Sequence, residues 1–111
     1  MVKTISKIFL SVLIATAGIE AAHAIGGDPK TGKAKAQACA VCHGPMGMAI
    51  NPGAPHLAGQ PAIYLVEQLH DFKSGKRQNP VMSVIAKPLT EADILDLAAW
   101  YSTIEIELKT K

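Results

Sequence analysis

Apolar positions in the second half of the chain recur at helical spacing. Leu65, Leu69 and Phe72 share one face of a segment opened by Gln60-Pro61, where proline suits a first helical turn. Gly75 supplies the stop, with Lys73, Lys76 and Arg77 suited to the negative end of the helix dipole. Further on, Ile94, Leu97, Ala98 and Tyr101 follow the i, i+3, i+4, i+7 pattern of a half-buried helix, widened by Trp100 and Ile104. Thr90-Glu91-Ala92-Asp93 before it reads as a capping box with Asp at the third position. Nearer the start, Asp28-Pro29 offers an N-cap and a first-turn proline for a helix from Lys30 to roughly Ala40. Gly32 within it costs about 1 kcal/mol relative to Ala, and a small residue there would let another helix cross closely. Asn79-Pro80-Val81-Met82 breaks the pattern before a short apolar piece, Ser83 to Ala86, and Lys87-Pro88-Leu89 connects to the last helix. Glu105 to Lys111 is polar and expected to fray. No stretch alternates as a strand would and there are no internal repeats, so the expected fold class is all-α.

The first residues follow a different pattern. Lys3 and Lys7 precede an uncharged, mostly apolar run from Ile8 to Ile19, and Ala22-His23-Ala24 places small residues where a signal peptidase reads. This is the anatomy of a secretory leader (residues 1–24), with cleavage expected after Ala24 and a single domain over 25–111. The run falls short of the about 18–20 residues a membrane span needs, so no stable membrane insertion is expected after cleavage.

Losing Lys3, Lys7 and Glu20 with the leader leaves nine basic against eight acidic residues. That near-neutral balance gives no basic excess of the kind nucleic-acid binding requires. The remaining aromatic residues are Tyr64, Phe72, Trp100 and Tyr101. A chain this short with so few large side chains needs a staple to hold its core.

Cys39-Ala40-Val41-Cys42-His43 can supply it. The C-x-x-C-H spacing is the attachment pattern of c-type haem. Two thiols three apart lie on one face of a helical turn, where both can reach the vinyl groups on one edge of a flat ring. His43 follows as the proximal axial ligand. Three other readings compete. A thioredoxin-like dithiol belongs in a strand–helix context and has no use for the histidine. A structural zinc site needs four ligands, and only the scattered His56 and His70 could complete one. A plain disulfide between Cys39 and Cys42 is the third. Export fits the haem reading, because haem is attached to such proteins outside the cytoplasm.

Gly44 to Gly59 holds four glycines and three prolines in sixteen residues, a long loop that wrapping one haem edge would explain. Met46 and Met48 lie too close after His43 to reach the opposite face, and His56 reads as an exposed loop histidine. His70 sits between polar neighbours and reads as solvated. Met82 lies far enough beyond His43, past a complete helix, to come round as the sixth ligand; a core methionine filling a gap is the other reading. The basic cluster is either a solvated helix end or a docking rim with Arg77 pairing a haem propionate.

These residues resemble the small class I c-type cytochromes, closest to monohaem cytochrome c553 and the single-haem half of cytochrome c4. The resemblance rests on Cys39 to Gly44, Pro55-His56-Leu57-Ala58-Gly59-Gln60, the Tyr64 to Arg77 helix with its Phe72-Lys73-Ser74-Gly75-Lys76-Arg77 end, and Asn79-Pro80-Val81-Met82. It implies a class I cytochrome c fold, three main helices and a short one around one covalently bound haem c. It further implies that the Pro55 carbonyl accepts the proximal imidazole N–H and that Leu57 packs on the haem. Met82 would be the distal ligand, and Gly32 would meet the Trp100-Tyr101 region at a helix crossing, with Trp100 contributing to the pocket. Cytochrome c4 has two such units and this chain has one motif, so a two-haem relay does not carry over.

The expected function is a periplasmic one-electron carrier, not an enzyme. It would be a monomer or weak oligomer, passing electrons between redox protein partners, donor and acceptor, with Fe(II)/Fe(III) cycling under His/Met ligation. Two alternatives stay open: a haem c subunit docked to a periplasmic dehydrogenase or oxidase, and a small-ligand-binding or peroxidatic haem protein with a displaceable Met82.

Overall fold

Five helices follow one another in the computed structural model, which describes residues 25–110: α1 (Pro29–Lys35), α2 (Gln37–His43), α3 (Ala62–Ser74), α4 (Met82–Ala86) and α5 (Glu91–Ser102). No strand occurs among the described residues. The leader expected over residues 1–24 lies outside them. No helix among the described residues is long and apolar enough to cross a membrane.

The capping chemistry read from the sequence is present. Asp28 accepts the N–H groups of Lys30 and Thr31 at the start of α1. Thr90 Oγ1 accepts the Asp93 N–H at 3.1 Å, while the Asp93 carboxylate accepts the Thr90 N–H at 2.9 Å, closing the box on α5. α3 ends on Gly75 in the left-handed region. The first helix differs from its expected bounds. It jogs at Ala36 and then runs on through the cysteine motif to His43. Ala36 donates to the Gly32 carbonyl and accepts from Ala40, so α1 and α2 form one interrupted rod. Gly44 ends it with φ +79; a Cβ there would lie 1.9 Å from the Met48 carbonyl oxygen, which reserves the position for glycine.

α5 is the buried spine, with Ile94, Leu97, Ala98, Ala99 and Tyr101 all out of solvent. Its core neighbours are Ala36 from the jog and Ala62 and Leu65 from α3. Half of these eight are alanines, and Ile94 is the only large side chain among the described residues that is fully buried. Leu69 is half-buried against this cluster and Phe72 is buried.

The crossing of α1 over α5 sets the frame. A Cβ added at Gly32 would fall 1.8 Å from the Asp96 carbonyl oxygen and 2.9 Å from Trp100 Cβ, so the two backbones touch. Polar ties flank the contact. The Asp28 N–H donates to Asp96 Oδ1 at 2.8 Å, and Lys35 Nζ meets Asp96 at 2.7 Å and Asp93 at 2.8 Å. These ties pull both carboxylates below their usual range. Asp93 falls to about 2, chiefly through Lys35, and Asp96 falls chiefly through the Asp28 amide. The rod carrying Cys39, Cys42 and His43 is thereby anchored on the spine.

Candidate haem site

His43 is buried, 7 % exposed. Its Nδ1 stands 2.8 Å from the Pro55 carbonyl oxygen. A carbonyl only accepts, so Nδ1 carries the proton and Nε2 keeps its lone pair. A histidine fixed in this tautomer is prepared to bind a metal through Nε2, and the outer hydrogen bond fixes its ring orientation.

The loop after α2 puts the Pro55 carbonyl in place. The Cys42 carbonyl accepts the N–H groups of both Ile50 and Asn51 at 3.2 Å. The Gly47 carbonyl takes those of Leu57 and Ala58, and Gly59 donates to the Tyr101 carbonyl of α5 at 2.9 Å. His56 Nδ1 accepts the Ala49 N–H at 2.8 Å, and the residue is exposed. Sixteen residues without regular structure are thus stitched back to the motif and to the spine.

No disulfide joins Cys39 and Cys42, both half-buried. Among the described residues no three His, Cys, Asp or Glu side chains converge as a metal cluster. Burial raises the Cys39 thiol above its ordinary range. Beside it lies the Tyr101 hydroxyl, buried and without a hydrogen bond of ordinary geometry. Desolvation, with the neighbouring thiol adding to it, pushes the phenol strongly upward. The sequence reading placed Tyr101 on the inward stripe and near the crossing with Gly32, and gave its hydroxyl no role. Its signal was there, since a tyrosine on an inward stripe carries a hydroxyl that needs a partner.

The other expected site residues fall in different places. Leu57 is half-buried against the core cluster. Met82 is half-buried at the first position of α4, whereas Met46 and Met48 are close to half exposed. Trp100 is partly buried at the α1–α5 crossing, with Lys33 Nζ 5.2 Å from its ring centroid. Arg77 is held along α3, its guanidinium 2.5 Å from Gln68 Oε1 and 4.6 Å from the Phe72 ring. The basic cluster around it is largely engaged. Lys73 Nζ donates to the Lys87 carbonyl at 2.7 Å, and Lys76 lies 3.4 Å from Asp71. His70, read as solvated, is partly exposed and pairs with Glu91 at 3.1 Å.

These residues fit a covalently held haem. Two thiols and a histidine in the ligating tautomer share one helix, a buried hydroxyl beside Cys39 has no protein partner, and the alanine-rich core needs a large apolar group to complete it.

Comparison with known proteins agrees. Residues 29–105 match the family model for cytochrome c. Cytochrome c4 of Thiocapsa roseopersicina is 49% identical over 89 residues, which cover 79% of this chain and 46% of that protein. Cytochrome c-554(548) of Halomonas halodenitrificans is 37% identical over 82 residues, covering 71% of this chain and 99% of that protein. The crystal structure of reduced recombinant cytochrome c4 from Pseudomonas stutzeri superposes with a TM-score of 0.68 at 35% identity, over 72% of this chain and 47% of that one. The chain thus spans about half the length of the cytochromes c4 it matches and nearly all of the shorter relative. It belongs to the cytochrome c family, and its cofactor is covalently bound haem c.

Proposed function

We propose that this chain is a periplasmic monohaem electron carrier, not an enzyme, exchanging single electrons with redox protein partners. Cys39 and Cys42 would hold the haem through thioethers, and His43 and Met82 would be its axial ligands. The observation that carries the reading is the hydrogen bond from His43 Nδ1 to the Pro55 carbonyl, which reserves Nε2 for iron. Haem c supplies the one-electron chemistry, its iron passing between Fe(II) and Fe(III).

The chain's own residues do the rest. Burial of His43 and the apolar face of α5 keep water from the proximal side, which favours the less charged reduced centre. A thioether from Met82 is a soft ligand and acts in the same direction. Residues 1–24 are a leader removed on export, and 25–111 form the single working domain.

The test is spectroscopic. After acid-acetone denaturation the haem should stay with the polypeptide, and the oxidised protein should show the weak near-infrared band of sulfur-to-iron ligation. Met82→Ala should abolish that band and open the reduced iron to carbon monoxide. Extraction of the haem into solvent would refute the attachment, and a band that survives in Met82→Ala would refute the distal assignment.

A further inference from the structure

Little of α4 is held by burial. Of its five residues only Ala86 is out of solvent, while Val84 and Ile85, with Val81 just before, are exposed. A helix of one turn has no stability of its own. Met82, its first residue, is half-buried, and polar ties at the two ends of the turn add to what packing gives it.

Polar ties hold both ends. At the start, Asn79 Oδ1 accepts the N–H groups of Val81 at 2.9 Å and of Met82 itself at 3.0 Å. The Asn79 N–H donates to Ser83 Oγ and its carbonyl accepts the Ser83 N–H, both at 3.0 Å. Asn79-Pro80 thus act as N-cap and first-turn proline for a turn that begins ahead of the regular helix. At the far end, Lys87 is the C-cap of α4, and its carbonyl accepts from Lys73 Nζ at the end of α3 at 2.7 Å. A lysine that would serve equally as a solvated end or a docking charge is instead a strut between two helices.

We infer that Asn79 and Lys73 are the positioning residues of the distal methionine, setting how readily Met82 leaves the iron. The inference rests on Met82 being the sixth ligand. Removing Asn79 Oδ1 leaves two N–H groups of the turn without their acceptor, one of them on Met82, and frees the backbone that aims the thioether. Removing the Lys73 ammonium frees the C-terminal end of the same turn.

The experiment measures imidazole binding to the oxidised holoprotein, a ligand that enters only when the sulfur departs, together with the near-infrared band. Asn79→Ala should bind imidazole about tenfold more tightly than the wild type. Lys73→Met, which keeps the apolar stem, should show a several-fold gain, and Asn79→Asp, which retains the acceptor oxygen, should restore wild-type affinity. Thr90→Ala removes a cap of similar worth from α5 and reports what general destabilisation alone does. If Asn79→Ala and Lys73→Met match Thr90→Ala at equal melting temperature, or if Asn79→Asp fails to rescue, the positioning role is overturned while the ligand stands. If Met82→Ala keeps the band, the ligand assignment fails first and this inference falls with it. Lys73 is exposed and its ammonium makes one hydrogen bond among the described residues, so its variant decides the matter even if Asn79→Ala folds poorly.

Discussion

Replacing Gly32 by Ala probes the contact on which the rest of the frame depends. The new methyl carbon would sit 1.8 Å from the Asp96 carbonyl oxygen, and real Cβ atoms essentially never approach closer than 3.0 Å. Since backbone cannot rotate aside as a long side chain can, α1 must back away from α5 by more than an ångström. A shift of that size would stretch the bond from the Asp28 amide to Asp96, now 2.8 Å, beyond hydrogen-bonding range, while the long Lys35 side chain can follow its carboxylates. Overpacking of this kind costs about 1–3 kcal/mol, and the lost polar tie adds to it. Alanine returns about 1 kcal/mol through its better helix propensity. The net loss should be about 1–3 kcal/mol, which for a domain of this size lowers the melting temperature by about 5–20 °C. Far-ultraviolet circular dichroism of the holoprotein during heating would measure it. Gly53→Ala is the matched control, since a Cβ there meets only Asn51 Oδ1 at 3.6 Å and should change the midpoint little. An unchanged or higher midpoint for Gly32→Ala would refute the close crossing.

Acid stability should follow the carboxylates at the same junction. Their folded values lie below the ordinary 3.8, Asp93 at about 2, so unfolding takes up protons; the stabilisation is complete above about pH 4 and is lost as the pH falls toward 2. Asp93→Asn should flatten the loss of stability across that window, and an unchanged slope in acid titrations would show that these groups do not govern it. On the basic rim, Lys76 is mostly exposed, with Asp71 at 3.4 Å as its neighbour. Lys76→Glu should reduce the association rate with an acidic redox partner and weaken its salt dependence, leaving the visible spectrum unaltered. Identical salt dependence in stopped-flow electron transfer would reduce the patch to a solvated helix end.

Local rules made the helices, their caps and the haem attachment motif legible in the chain, because capping, periodicity and the reach of two thiols three apart depend only on near neighbours. Thr90 with Asp93, Asp28 with Pro29, and the stripe from Ile94 to Tyr101 are all of this kind. The continuation of the first helix to His43 was less visible, since the cysteine motif has no apolar stripe and its stop is a single glycine at positive φ, packed against the carbonyl of Met48. What Asn79 does for Met82 was within reach of sequence rules, as an Asn-Pro pair is a helix start on its own terms. The crossing at Gly32 was expected against the last helix, though not its contact with the Asp96 backbone. Other features join residues that nothing in the sequence brings near each other: the Tyr101 hydroxyl beside Cys39, and Lys73 spent on the Lys87 carbonyl rather than offered to a partner. Only the packing of α1 and α3 on α5 and of α4 on α3 decided those, because a side chain's partner across the fold is set by where whole helices come to rest and not by its neighbours in the chain.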